Sequence, residues 1–212
     1  MINESVRERL GILNSAKIFL YSVNYAPIIQ LEQKGEWDEI GKQLGTIAKT
    51  LQDAGADVVI LCCNTLHKVT SSIEAAIDIP FLHIADAAGK KLVDARIHKI
   101  GLLGTQFTME DGFYSSRLES QFGLEVIVPE LSDRQRMDQI IYHELCQGKI
   151  IDRSKDEMIH MIKALQDKGA EAVLLGCTEL GMLITEENVD IPVYDTMILH
   201  AKEAVNFSLE CL

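Results

Sequence analysis

LQDAGADVVILCCNTLH (residues 51–67) and LQDKGAEAVLLGCTELG (165–181) agree at nine of seventeen positions without a gap. Self-similarity of this kind marks a duplicated supersecondary unit. Each copy reads as the end of an amphipathic helix, a Gly-Ala turn, an apolar β-rich run, a cysteine and a polar segment suited to start a helix. Cys63 falls on Cys177. Both copies are followed by Ile-Pro and a short apolar run, IPFLHI at 79–84 and IPVYDT at 191–196. Two ordinary strand-loop-helix units would explain the shared glycine and apolar residues, but not a cysteine at the same strand end.

Outward from the repeat, strand and helix patterns alternate. KIFLYSV (17–23), DVVILC (57–62), PFLHI (80–84), KIGLLG (99–104), LEVIVP (124–129), AVLLGC (172–177) and PVYD (192–195) read as short buried strands separated by helical stretches. That alternation predicts an α/β fold with parallel sheets covered by helices. No Pro/Gly-rich linker interrupts it, so the repeat implies two pseudosymmetric lobes, each a short parallel sheet flanked by helices, with the seam near Ala95–Lys99. In the second half, KIGLLGTQ precedes a helix at about 109–122 and the strand LEVIVP. In the first half the corresponding order starts inside a helix at about 2–10, followed by KIFLYSV. The counterpart of KIGLLGTQ is therefore expected to be a strand ahead of Met1, in a lost or misassigned segment of about 20 residues counting its loop and half-helix.

Composition limits the function classes. A chain of 212 residues with 47% hydrophobic content can bury a substantial core. No apolar stretch reaches the roughly 20 residues of a spanning helix, and MINESVRERL is too charged for a secretory signal, so a cytoplasmic location is expected. The five cysteines (Cys62, Cys63, Cys146, Cys177, Cys211) are odd in number and follow no metal-finger spacing, which reads as free thiols. With 20 basic against 32 acidic side chains, net charge −12, nucleic acid and anionic membranes are poor partners. An acidic ligand would need local help.

Ligands of parallel α/β sheets bind beyond the carboxyl ends of the strands, where helix N-termini present free N–H groups. Both repeat cysteines lie there. Asn64 and Thr65 in one copy, and Thr178 and Glu179 in the other, suit N-capping and backbone contact with an anion. A helix N-terminus also lowers a thiol's pKa from about 8.5 toward neutrality. A thiolate on one face of a substrate and a thiol on the other would remove a Cα proton and return one from the opposite side, inverting the stereocentre. Cys62, Cys146 and Cys211 read instead as small packing residues, Cys62 facing a sheet layer by strand parity. A Cys62–Cys63 disulfide would be strained, and a zinc site from Cys63, His67 and Cys177 lacks an ordinary spacing. His67 is open to either a bond with the Cys63 thiol or a capping role; His83 and Asp86 read as structural.

CNTLH (63–67), LLGTQFTM (102–109), ELCQG (144–148) and GCTEL (176–180) together resemble the aspartate/glutamate racemase family, closest to the aspartate racemase type that acts without pyridoxal phosphate. The resemblance covers nearly the whole chain. It implies two pseudosymmetric α/β lobes with the active site in the cleft, a C-terminal helix that crosses back to the first lobe, and a homodimer. The lobes would be 1–96 plus 196–212, and 97–195. It implies Cys63 and Cys177 as the two bases, Asn64, Thr65 and Thr178 as holders of the substrate carboxylates, and Thr105 as a further contact. No cofactor and no metal are implied, and the partner is a small amino-acid substrate. The family's opening strand and Gly-Gly-Met-Ser loop are expected where the repeat shows its gap. Relatives with threonine at the position of Cys63 work poorly in one direction, so two cysteines favour reversible racemisation of aspartate or glutamate. The competing readings are a dicarboxylate isomerase or decarboxylase of related fold, and a truncated, non-catalytic amino-acid-binding protein.

Overall fold

The computed structural model describes residues 1–210. Cys211, read from sequence as a packing residue, lies outside them. Contacts divide the chain into two compact units. The first comprises Met1–Leu61, Leu66–His83 and residues 201–210; the second comprises Cys62–Thr65 and Ile84–His200.

The first unit contains α1 (Ile2–Leu10), α2 (Tyr25–Lys34), α3 (Trp37–Asp53), β1 (Val59–Ile60), α4 (Thr70–Glu74) and β2 (Phe81–Leu82). β1 and β2 pair in parallel, Val59 with Phe81 and Ile60 with Leu82. α3 is strongly amphipathic and buries Ile40, Leu44 and Ala48 on one face. On the same helix, a Cβ placed on Gly41 would come 2.6 Å from Ser72 Oγ, so only glycine lets α3 and α4 approach this closely. His67 and His83 are both buried and lie edge to face, with ring centroids 4.5 Å apart.

The second unit contains α5 (Ile84–Asp94), β3 (Lys99–Gly104), α6 (Gln106–Glu110), α7 (Phe113–Phe122), β4 (Glu125–Ile127), α8 (Leu131–His143), α9 (Asp152–Asp167), β5 (Ala172–Gly176), β6 (Val193–Asp195) and the first turn of α10 (Thr196–Glu210). Its sheet has the order β4-β3-β5-β6, all parallel. Side-chain alternation sorts the sheet residues onto two covered faces. Ile100, Leu102, Ala172 and Leu174 pack with Ile84, Leu92, Tyr114 and Leu118 of α5 and α7. Leu103, Val173 and Leu175 pack with Met137, Ile140, Met158 and Ile162 of α8 and α9. Burial on both sides is why KIGLLG and AVLLG read as continuous apolar runs. Cys177 continues the parity of Val173 and Leu175 and joins the second of these clusters.

The α/β architecture with two helix-flanked parallel sheets is the one the sequence pattern predicts. Three expectations need correction. KIFLYSV forms no strand: residues 17–23 carry no regular structure, with Ile18, Phe19, Leu20 and Tyr21 at least half exposed. An apolar run becomes a strand only where a neighbour supplies ladder hydrogen bonds, and among the described residues none pairs with 17–23. The helix expected over 109–122 is instead two helices, α6 and α7, parted at Asp111–Gly112, where Gly112 takes φ 75°. Cys62 and Cys146 are exposed rather than packed. β1 ends at Ile60, so strand parity does not reach Cys62, and Cys146 sits in a 3-10 turn whose buried member is Leu145. α5 belongs with the second unit because Ile84, Ala88 and Leu92 close against β3 and α7.

Candidate active site

Cys62–Thr65 packs with the second unit, which therefore holds Cys63, Asn64, Thr65, Thr105, Cys177 and Thr178, whereas His67 and His83 belong to the first. Cys177 follows the last residue of β5 and is 8% exposed; Cys63 is half-buried. Gly176 sets the backbone before Cys177 close to its neighbours, since a Cβ there would lie 2.9 Å from Leu103 O and 3.2 Å from the Thr108 methyl.

Three hydroxyls cluster between β3 and the strand-end segment. Thr65 Oγ1 is 2.9 Å from Thr105 Oγ1 and 3.4 Å from Thr108 Oγ1, and the last two are 3.2 Å apart. Thr105 N-caps α6 by accepting from the Thr108 backbone N–H. All three threonines are buried. Beside them, Asn64 Nδ2 donates to Thr196 Oγ1 at 3.0 Å, and Thr196 Oγ1 donates to the Leu175 carbonyl at 2.8 Å. Asn64 Oδ1 is buried without a hydrogen-bond partner, a state that ordinarily costs ~1–3 kcal/mol.

Cys177 differs from expectation. Its Sγ lies 3.0 Å from Glu179 Oε2, which also accepts from Thr178 Oγ1 at 2.8 Å. Burial pushes the Cys177 thiol well above its ordinary value, and the Glu179 carboxylate adds to this by its charge and by accepting the thiol's hydrogen bond. The Glu179 backbone N–H opposes the shift, and charge on Cys63 reinforces it. The lowering predicted from a helix N-terminus is therefore reversed at Cys177. The next element along the chain is a 3-10 turn, Leu180–Met182, rather than a helix with a macrodipole, and a carboxylate stands two residues after the thiol.

Asp86 accepts a bidentate ion pair from Arg117, at 2.5 and 2.7 Å, and so serves packing in the second unit. Among the described residues, no three His, Cys, Asp or Glu side chains are grouped as a metal site requires. Thr108 and Thr196 stand outside the set of residues expected from sequence, and Glu179 enters it only as a cap. Thr108 is visible within LLGTQFTM, whereas Thr196 has no local signal.

Residues 1–204 match the family model described as Asp/Glu/Hydantoin racemase. The chain belongs to this family. A crystal structure from Yersinia pestis, of a protein provisionally assigned as an Asp/Glu racemase, superposes with a TM-score of 0.92 at 45% identity, covering 98% of this chain and 90% of that one. An aspartate racemase homologue from Pyrococcus horikoshii gives a TM-score of 0.84 at 30% identity, covering 97% and 89%. The broad specificity amino-acid racemase RacX of Bacillus subtilis is 26% identical over 169 residues, 80% of this chain and 72% of its own. Family membership supports amino-acid racemisation and a small amino-acid substrate. Among the described residues, no helix is long and apolar enough to cross a membrane.

Proposed function

We propose that this protein racemises an acidic amino acid, aspartate or glutamate, by a cofactor-independent reaction with Cys63 and Cys177 as the two bases. The observation that carries the reading is the unequal environment of two repeat-related thiols, Cys177 buried against Glu179 and Cys63 half-buried. Burial and Glu179 favour the protonated form of Cys177, the state required of the group that delivers a proton. Cys63, half-buried, then acts as thiolate. It takes the Cα proton, the electron pair stays on Cα and its carboxylate, and Cys177 Sγ–H returns a proton to the other face. The reverse reaction exchanges the two roles, with Glu179 placed to take up or return the Cys177 proton at 3.0 Å. Thr65, Thr105 and Thr178 supply hydroxyls to the substrate carboxylates. A homodimer in the cytoplasm is the form in which we expect it.

Chiral chromatography after incubation with each enantiomer of aspartate and glutamate tests this. Both enantiomers are expected from either one, with a fall of at least about a hundredfold in Cys63→Ala and in Cys177→Ala. Release of carbon dioxide from a malonate without racemisation would favour the decarboxylase reading. Thermal stabilisation by an amino acid without turnover would favour the binding-protein reading.

A further inference from the structure

We infer that Thr196 is a positioning residue that fixes the Asn64 amide so that it presents an acceptor, and therefore meets the ammonium group of the substrate rather than a carboxylate. The inference rests on the acidic-amino-acid reading above and assigns one end of the substrate to one side chain.

Proton direction decides the assignment. Thr196 is fully buried and opens α10 immediately after β6, whose Asp195 stands in register with Leu175 of β5. Its single hydroxyl proton is committed to the Leu175 carbonyl, 2.8 Å away, because a carbonyl can only accept. The Thr196 oxygen must then accept from Asn64, which fixes Nδ2 toward Thr196 at 3.0 Å and turns Oδ1 the other way. Oδ1 is left buried with no partner in a side chain only 3% exposed. Buried polar atoms are almost always paired, so an acceptor left open beside Cys63 is matched by a donor that arrives with the ligand. Of the polar groups on an acidic amino acid, the ammonium donates and the carboxylates repel an acceptor. The carboxylate role that the resemblance gave to the Asn64 side chain thus passes to the threonine hydroxyls. The same chain of bonds ties the residue next to Cys63 to the strand that ends at Cys177, so Thr196 acts through Asn64 and touches no reacting atom.

The test compares L-aspartate with succinate, which keeps both carboxylates and lacks the amine, by calorimetry on the wild-type protein and on Thr196→Val and Thr196→Ser. The wild type should bind aspartate at least about tenfold tighter than succinate, the ~1.4 kcal/mol equivalent of a tenfold ratio. Thr196→Val frees the amide to turn its Nδ2 toward the ligand. It should lose that preference by weakening aspartate while succinate holds or improves, and racemisation should show this as a raised KM more than a lowered kcat. Thr196→Ser, which keeps the hydroxyl, should recover most of the preference. Equal affinity of the wild type for the two ligands would overturn the inference without reference to any variant. So would equal weakening of both ligands in Thr196→Val, or no difference between the valine and serine variants. Binding of aspartate over succinate without turnover leaves the assignment of Asn64 standing and refutes racemisation alone. Failure of both ligands to bind the wild type refutes both.

Discussion

Replacing Glu32 by glutamine should stabilise the protein at alkaline pH and leave it unchanged in acid. Glu32 lies on α2, is 2% exposed, and has Tyr25 Oη at 3.3 and 3.4 Å from its two carboxylate oxygens. Burial raises its pKa from 4.5 to about 7, against a smaller lowering from the Tyr25 hydrogen bond. Because the folded value is the higher, the contribution of Glu32 is fully present below pH 4.5 and is lost as pH rises through about 7. The unfolded chain releases this proton first, so stability falls across that interval by ~1.4 kcal/mol per pH unit, about 3 kcal/mol in all. Glu32→Gln keeps the volume and an acceptor for Tyr25 and removes the charge. Urea denaturation at pH 5 and pH 8 should give a variant more stable by about 3 kcal/mol at pH 8 and by only ~0.8 kcal/mol at pH 5. Parallel pH profiles for the two proteins, or a variant less stable at pH 8, would refute the reasoning.

Gly41→Ala places a methyl 2.6 Å from Ser72 Oγ and 2.8 Å from its Cβ, and should cost about 1–3 kcal/mol in chemical denaturation, most of it recovered by Ser72→Gly. Glu179→Gln removes a charge that holds the Cys177 thiol up, so peptide-resolved iodoacetamide labelling at pH 8 should modify Cys177 several-fold faster than in the wild type, although burial, the larger cause, still keeps it slow. Leu20→Lys, at a side chain 84% exposed, should change stability by no more than ~0.5 kcal/mol; a loss above ~2 kcal/mol would restore the buried strand expected from KIFLYSV.

The sheet of the second unit was legible because burial on both faces leaves an unbroken apolar run. KIGLLG matches its strand residue for residue, and AVLLGC overruns its strand by one. The same signal misled at KIFLYSV, since composition reports affinity for a covered place but cannot supply the neighbour that makes a ladder. Cys62 failed for a related reason: alternation holds only while the strand lasts, and β1 stops two residues earlier. In the site, the duplication brought Cys63 and Cys177 to attention at a separation no local motif spans. Both lie in the second unit. The protonation balance was not legible, because it depends on how deeply Cys177 is buried and on where the Glu179 side chain turns. Thr196 lay beyond reach as well. Its importance comes from a hydrogen bond to Asn64, 132 residues away, which no pattern in IPVYDT announces.

If the two thiols serve opposite faces of one substrate carbon, each should be needed for one direction of proton transfer. Solvent-deuterium exchange at Cα, followed by NMR on each pure enantiomer with Cys63→Ser and Cys177→Ser, tests this most directly. The expected result is that neither variant racemises, and that each still exchanges the Cα hydrogen of one enantiomer only, the opposite one in the two variants. Wild-type racemisation by either variant, or exchange of the same enantiomer by both, would contradict it.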